Sequence, residues 1–220
     1  MSERYKVVKL IEKVENGGYS TLLLNSVLSD MQAESSPYIT RAFYGVTERK
    51  LTPDYILSKY SDKPLKKLPT FVLCVMRLAL YECLYMDNTQ SYAAVNEAVE
   101  MIKKSPNKPL YGYVNAVLRN AVKYDIKYLE NKSPEIKYSV NPEIFDIVSS
   151  AIGCENAACF FENSLHKSEV FVMVNTIKSD LDTIISDCGF EKTSVNLVLR
   201  AEKFNPEEPH FKNGDYFVID

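Results

Sequence analysis

Basic side chains at helical spacing, and two polar residues set beside apolar stripes, are the parts of this sequence that could do chemistry. Arg4, Lys6 and Lys9 share one stretch; Arg41, Arg49 and Lys50 share another; Lys103 and Lys104 close a third; Arg119 follows Asn115 by four residues. Cations held outside a fold release counterions from a polyphosphate, so the chemistry on offer is contact with the phosphates of a polyanion. Such contact gives modest affinity that falls steeply with salt. A charged helix end also has a plainer use, as a partner for the helix dipole. For Arg119 two readings stay open: a phosphate contact, and an ion-paired arginine lying along apolar surface.

Asn115 sits beside the stripe Val114, Val117, Leu118 and Ala121 in YGYVNAVLRNA (111–121). It reads as a buried amide that satisfies neighbouring backbone groups. Gly112 reads as a helix start that lets another backbone come close. Glu97, with Ala93, Ala94 and Met101 as helical neighbours, reads as a half-buried carboxylate. It is expected to accept from the start of the 111–123 helix or to pair with an arginine. Arg77 interrupts the most apolar helix and reads as an interface ion pair. Tyr44, Tyr81 and Tyr85 read as core, and stacking on Tyr111 or Tyr113 is the lesser expectation.

Enzyme signatures are sparse. There is no G-x-G-x-x-G, no Walker-type phosphate loop and no H-E-x-x-H. Five cysteines lack C-x-x-C spacing, and His166 and His210 stand alone in the sequence. Buried free thiols are therefore expected, with no metal and no catalytic residue.

These side chains need elements to position them. Residues 4–15 form an amphipathic pattern with Val7, Val8, Leu10, Ile11 and Val14 inward, ended by ENGG. A helix follows over about 20–29, another starts at SSPY (35–38), and LTPDYIL places Thr52 as N-cap with Asp54 in the first turn. Residues 69–85 are apolar nearly all round and must be central. Residues 91–104 and 111–123 give two more helices. No strand pattern precedes residue 130, so a helical bundle is expected for residues 1–132. NKSPEIKYSVNPE (131–143) reads as a linker. Beyond it, helices from Asn141 and from CENAACFFENSLHK lead to strands at 169–176, 194–201 and the final DYFVID, with a capped helix at 179–189. Residues 133–220 are thus a small, incomplete α+β domain in a mainly α chain. Ending on an apolar strand, it reads as cut from something longer.

The net charge of -3 hides an asymmetry: residues 1–133 hold 19 Lys and Arg against 14 Asp and Glu, and residues 134–220 hold 7 against 15. Two units with different partners are implied. The apolar run LPTFVLCVM is stopped by Arg77, well short of the ~20 residues that span a bilayer. With a charged N-terminus unlike a secretory signal, the expectation is a cytoplasmic protein with no membrane partner. Its oligomeric state is not encoded in any pattern.

Four stretches in order, RAFYGVTERKLTPDYIL (41–57), MRLALYECLYM (76–86), AAVNEAVEMIKK (93–104) and GYVNAVLRN (112–120), resemble the NusB-like RNA-binding domain. They are most similar to the version at the N-terminus of the RsmB (Sun/Fmu) rRNA cytosine-C5 methyltransferases. SVNPEIFDIV, VFVMVNT and FKNGDYFVID resemble that family's connecting region. The pattern's Asn is kept as Asn175, while Met173 and Ile219 replace its Arg and Gln. The resemblance implies an RNA-binding region that recognises small-subunit rRNA. S-adenosylmethionine and the nucleophilic cysteine would belong to a catalytic domain outside this chain, which alone would be inactive and hold no cofactor. It also allows a stand-alone antitermination factor that binds RNA and a ribosomal protein. A helical protein-interaction module without an RNA role is the third reading.

Overall fold

Thr70–Tyr85 (α5) has no polar face, and every residue from Phe71 to Glu82 is buried. A helix of this kind must be wrapped by others. In the computed structural model, which describes residues 2–29, 36–86, 89–165, 169–202 and 204–219, the wrapping is done by five helices. They are α1 (Glu3–Glu15), α3 (Ser36–Glu48), α4 (Leu51–Tyr60), α6 (Ser91–Lys103) and α7 (Tyr111–Ala121). The short α2 (Ser20–Leu28) packs on α1. Ser2 Oγ accepts from the Tyr5 N–H at 3.3 Å to start α1. Gly17, at φ +93°, closes it in the left-handed region that other residues avoid.

Gly45 on α3 is a close approach that no sequence pattern marks. A Cβ there would lie 1.9 Å from the Tyr81 hydroxyl oxygen and 2.1 Å from Tyr81 Cζ. Tyr81 is itself only 5% exposed, so its ring has little room to yield. Gly45→Ala is expected to cost about 1–3 kcal/mol by overpacking. Adding Tyr81→Phe should not restore stability, because Cζ remains in the way, whereas Tyr81→Leu should. Urea unfolding of the single and double variants checks this ordering.

The stretch expected to be a linker is tied down. It forms α8 (Pro134–Lys137), and Thr52 is the reason. Thr52 is 1% exposed and donates through Oγ1 to the Ile136 carbonyl at 2.6 Å, while the Leu51 N–H donates to Ser139 Oγ at 2.8 Å. Thr52 is therefore a tie to α8, and the N-cap position of α4 belongs to Lys50. α9 (Pro142–Ile152), capped by Asn141 as expected, and α10 (Cys154–Ser164) follow. The first compact unit runs to residue 165, beyond the 132/133 break read from the sequence.

Residues 166–220 form the second unit, a four-stranded antiparallel sheet in the order β2-β3-β1-β4. The strands are β1 (Val170–Val174), β2 (Glu191–Lys192), β3 (Val198–Ala201) and β4 (Tyr216–Val218), with α11 (Leu181–Cys188) and α12 (Pro209–Asn213) between them. Val172, Val174, Ile184, Leu199 and Tyr216 are its core. Only half of SVNLVLRA is strand. The Thr193 hydroxyl accepts from the Val195 N–H and Leu197 sits at φ +63°, so the first half is a turn. Among the described residues, every strand lies in this unit. No helix among them is long and apolar enough to cross a membrane.

Candidate nucleic-acid interface

Residues four apart on a helix lie one above the other. Two such ladders face each other across the α6–α7 cleft: Tyr92 and Asn96 from α6, and Asn115, Arg119 and Lys123 from α7 and its end. Ser91, Val95 and Val122 complete a lining around about 310 Å³. The helices turn these residues outward because Ala94, Val95, Ala98, Val99 and Ile102 of α6 and Val114, Val117, Leu118 and Ala121 of α7 are drawn into the core. Tyr92 is 78% exposed. Arg119, Lys123 and Asn96 are exposed and Asn115 is half-buried, and no side-chain partner engages any of the four among the described residues. The cleft thus offers cations for phosphates, two amides with both donor and acceptor for base edges, and an aromatic face for stacking.

Of the residues singled out in the sequence, Arg119 is the basic group that the structure brings to this cleft. The others are elsewhere, mostly engaged with the fold. Arg4 donates through Nε to both oxygens of buried Glu82 at 2.9 and 3.0 Å. Arg49 donates to the Leu165 carbonyl at 2.7 Å and lies 4.4 Å from the centre of the Tyr85 ring. Arg41 donates to the Tyr85 carbonyl at 3.1 Å. Lys50 pairs with Glu15 at 2.8 Å, Lys103 with Glu100 at 2.7 Å, and Lys9 with Glu12. Lys6 is half-buried on α1, and exposed Lys104 lines a separate α1–α6 hollow with Glu97 and Glu100. Two carboxylates make that hollow, though larger at about 460 Å³, the poorer place for a polyanion.

Three expectations need correction. Glu97 is exposed and makes no hydrogen bond or close ion pair among the described residues, although its charge is felt by Arg4. It flanks the core stripe, about 40° round the helix from buried Met101 and about 160° from Val95, and its side chain turns to solvent. Asn115 makes no hydrogen bond to backbone among the described residues, because its position two places before Val117 leaves it at the cleft rim. Gly112 has nothing within 4 Å of where a Cβ would be, so no backbone approaches it. The locking polar groups are instead Arg77 and Glu82. Arg77 donates to both Asp54 oxygens at 2.7 Å and pairs with Glu15 at 3.2 Å, the interface ion pair expected of it. Tyr92, Asn96 and Lys123 were missed, although the spacing 92–96 and 115–119–123 carried the signal.

In the second unit Asn175 staples two segments, donating to the Gly214 carbonyl at 2.8 Å and accepting from the Ile177 N–H at 3.2 Å. Met173 and Ile219 are exposed. His166 lies outside the described residues. Of the cysteines, Cys74 is buried, but Cys154 and Cys159 are exposed, against the expectation of buried thiols. His210 does not stand alone in space: it meets Cys188 and Glu208. Burial, with the charges of Glu208 and Asp187, pushes the Cys188 thiol up to about 11.

The first unit is a helical module built on one apolar helix, with a cationic, amide-lined cleft. Residues 1–123 match the NusB family, and the chain belongs to that family. Over 113 residues it is 35% identical to the probable ribosomal RNA small subunit methyltransferase B of Bacillus subtilis; the match takes in 50% of this chain and 25% of that relative. Over 96 residues it is 32% identical to the transcription antitermination protein NusB of Clostridium botulinum, covering 43% of this chain and 72% of that protein. Two crystal structures share the fold at 16% identity. One is PH0851, with a TM-score of 0.60 over 99% of this chain and 53% of that one. The other is of the antitermination factors NusB and NusE in complex with dsRNA, with a TM-score of 0.50 over 55% of this chain and 93% of that one.

Proposed function

We propose that this chain is the RNA-recognition region of an S-adenosylmethionine-dependent rRNA cytosine-C5 methyltransferase, and that it holds small-subunit rRNA in the α6–α7 cleft. The observation that carries RNA binding is the pair of facing ladders, in which two cations and two amides lack partners among the described residues beside an exposed tyrosine. The methyltransferase assignment is supported by the Bacillus subtilis relative and by the chain's continuation past residue 123 into a sheet unit. On this reading the cofactor and the chemistry lie in the rest of the full-length protein, and the present chain is inactive alone. The second reading, an antitermination factor with a ribosomal protein partner, draws on the Clostridium botulinum relative, most of which is matched.

Titration of the chain with short rRNA stem-loops at several salt concentrations tests the site. Replacing Arg119 and Lys123 together by Ala should make the slope of log affinity against log salt shallower by about 1.4, at ~0.7 for each single-strand phosphate that is no longer neutralised. Tyr92→Ala should cost about 1–3 kcal/mol of binding by removing a stacking face. Binding unchanged in both variants would place the interface elsewhere. No binding even at low salt would favour a protein-interaction module.

A further inference from the structure

We propose that Cys188, Glu208 and His210 form a zinc-type metal site in the second unit, independent of RNA binding. The three come from two places: the last residue of α11, and the N-cap and first turn of α12. Their donor atoms lie within 4.8 Å of one another. A thiolate, an imidazole and a carboxylate are the donor set of Zn²⁺ rather than of Mg²⁺ or Ca²⁺.

The surrounding bonds orient these donors. His210 Nδ1 is held by Asp215 Oδ2 at 2.8 Å, the carboxylate–imidazole pairing that fixes a metal-binding tautomer, in which Nε2 would be the ligand on displacing Asp187. Glu208 Oε2 accepts from the Phe211 N–H at 2.9 Å and the Tyr216 hydroxyl at 3.1 Å, which fixes the carboxylate. The Cys188 thiol also bonds to this carboxylate, so the two candidate ligands already meet. Asp187 Oδ2 lies 3.3 Å from His210 Nε2, outside the three-residue cluster. Three carboxylates, Asp187, Glu208 and Asp215, converge here on one imidazole, an excess of negative charge that a divalent cation would balance. On binding, the metal replaces the thiol proton, which leaves to solvent.

Cobalt(II) is the probe, added in equimolar amount to the reduced full chain carrying Cys154→Ser and Cys159→Ser. The expected result is the visible spectrum of a four-coordinate ion with a thiolate-to-cobalt band, both removed by zinc. Cys188→Ser should abolish the band. Glu208→Gln keeps an acceptor for the α12 cap and should weaken cobalt binding about tenfold or more. Asp215→Asn, which tests the orienting bond alone, should weaken it while leaving the band's position unchanged. Circular dichroism identifies any variant that fails to fold, and the band in the remaining variants then decides. Absence of a band at equimolar cobalt, or a band indifferent to Cys188→Ser, Glu208→Gln and Asp215→Asn, would overturn the assignment.

Discussion

Replacing Arg77 by Met should lower the unfolding free energy by about 3 kcal/mol or more, the cost of leaving partners of a buried ion pair uncompensated. Methionine keeps most of the alkyl volume, so the substitution isolates the guanidinium. That group is 3% exposed and joins three helices: it sits on α5, holds both oxygens of Asp54 on α4, and lies 3.2 Å from Glu15 on α1. Asp54 and Glu15 reach solvent in part, at 25% and 21% exposure, and can partly rehydrate in the variant. The cost therefore falls toward the lower end of the ~3–5 kcal/mol range. Arg77→Lys should fall between wild type and Met, since an ammonium cannot reproduce the two-pronged bond.

Acidification should narrow the difference between wild type and Arg77→Met. Burial pushes the Glu15 carboxyl up, but the Lys50 hydrogen bond and the Arg77 charge outweigh it and hold it below the usual carboxylate range. A depressed folded-state value means that stability from this group is present above about pH 4.3, its unfolded value, and is lost as pH falls through the folded one. Chemical unfolding of both proteins at neutral pH and near pH 4 reads the effect.

Most of the helical unit was legible because periodicity and burial coincide there. The all-round apolar run at 69–85 could only be a central helix, and the amphipathic stretches at 4–15, 91–104 and 111–123 could only face it. The pieces that went unread depend on contacts distant in sequence. Nothing near Thr52 announces that its hydroxyl will meet Ile136, so 131–143 looked like a linker. Gly45 looked ordinary because its constraint is the Tyr81 ring on another helix. The cleft was half legible. Arg119 and Asn115 stand out in the sequence, but Asn115 reads as buried from its place beside the apolar stripe, whereas it lies half-buried at the cleft rim. Cys188 and His210 are 22 residues apart in sequence, and only the path of the chain between α11 and α12 brings them together.

Glu82→Leu should be as damaging as Arg77→Met, and it separates the sequence-based RNA assignment of Arg4 from the structural one. Glu82 is 1% exposed. Its carboxylate accepts from Arg4 Nε of α1 and from the Tyr38 hydroxyl of α3, so one buried anion on α5 fastens two helices. Burial and the Glu82 charge together push the Tyr38 hydroxyl far above its ordinary value, so it remains a donor at any working pH. Leucine would strand a buried hydroxyl and a half-buried guanidinium, costing about 3–5 kcal/mol. Glutamine keeps an acceptor for Tyr38 and should cost less, about 1–3 kcal/mol. Arg4→Met removes one of the two donors and should destabilise the bundle while leaving the RNA affinity of the folded protein within about twofold, since it removes no phosphate contact. Arg119→Ala should do the reverse, weakening RNA binding with a stability change within about 0.5 kcal/mol, as for a surface residue whose side chain holds nothing in place. Thermal unfolding and RNA titration of the two arginine variants in parallel give the decision: weaker RNA binding in Arg4→Met with Arg119→Ala unaffected would return the interface to α1.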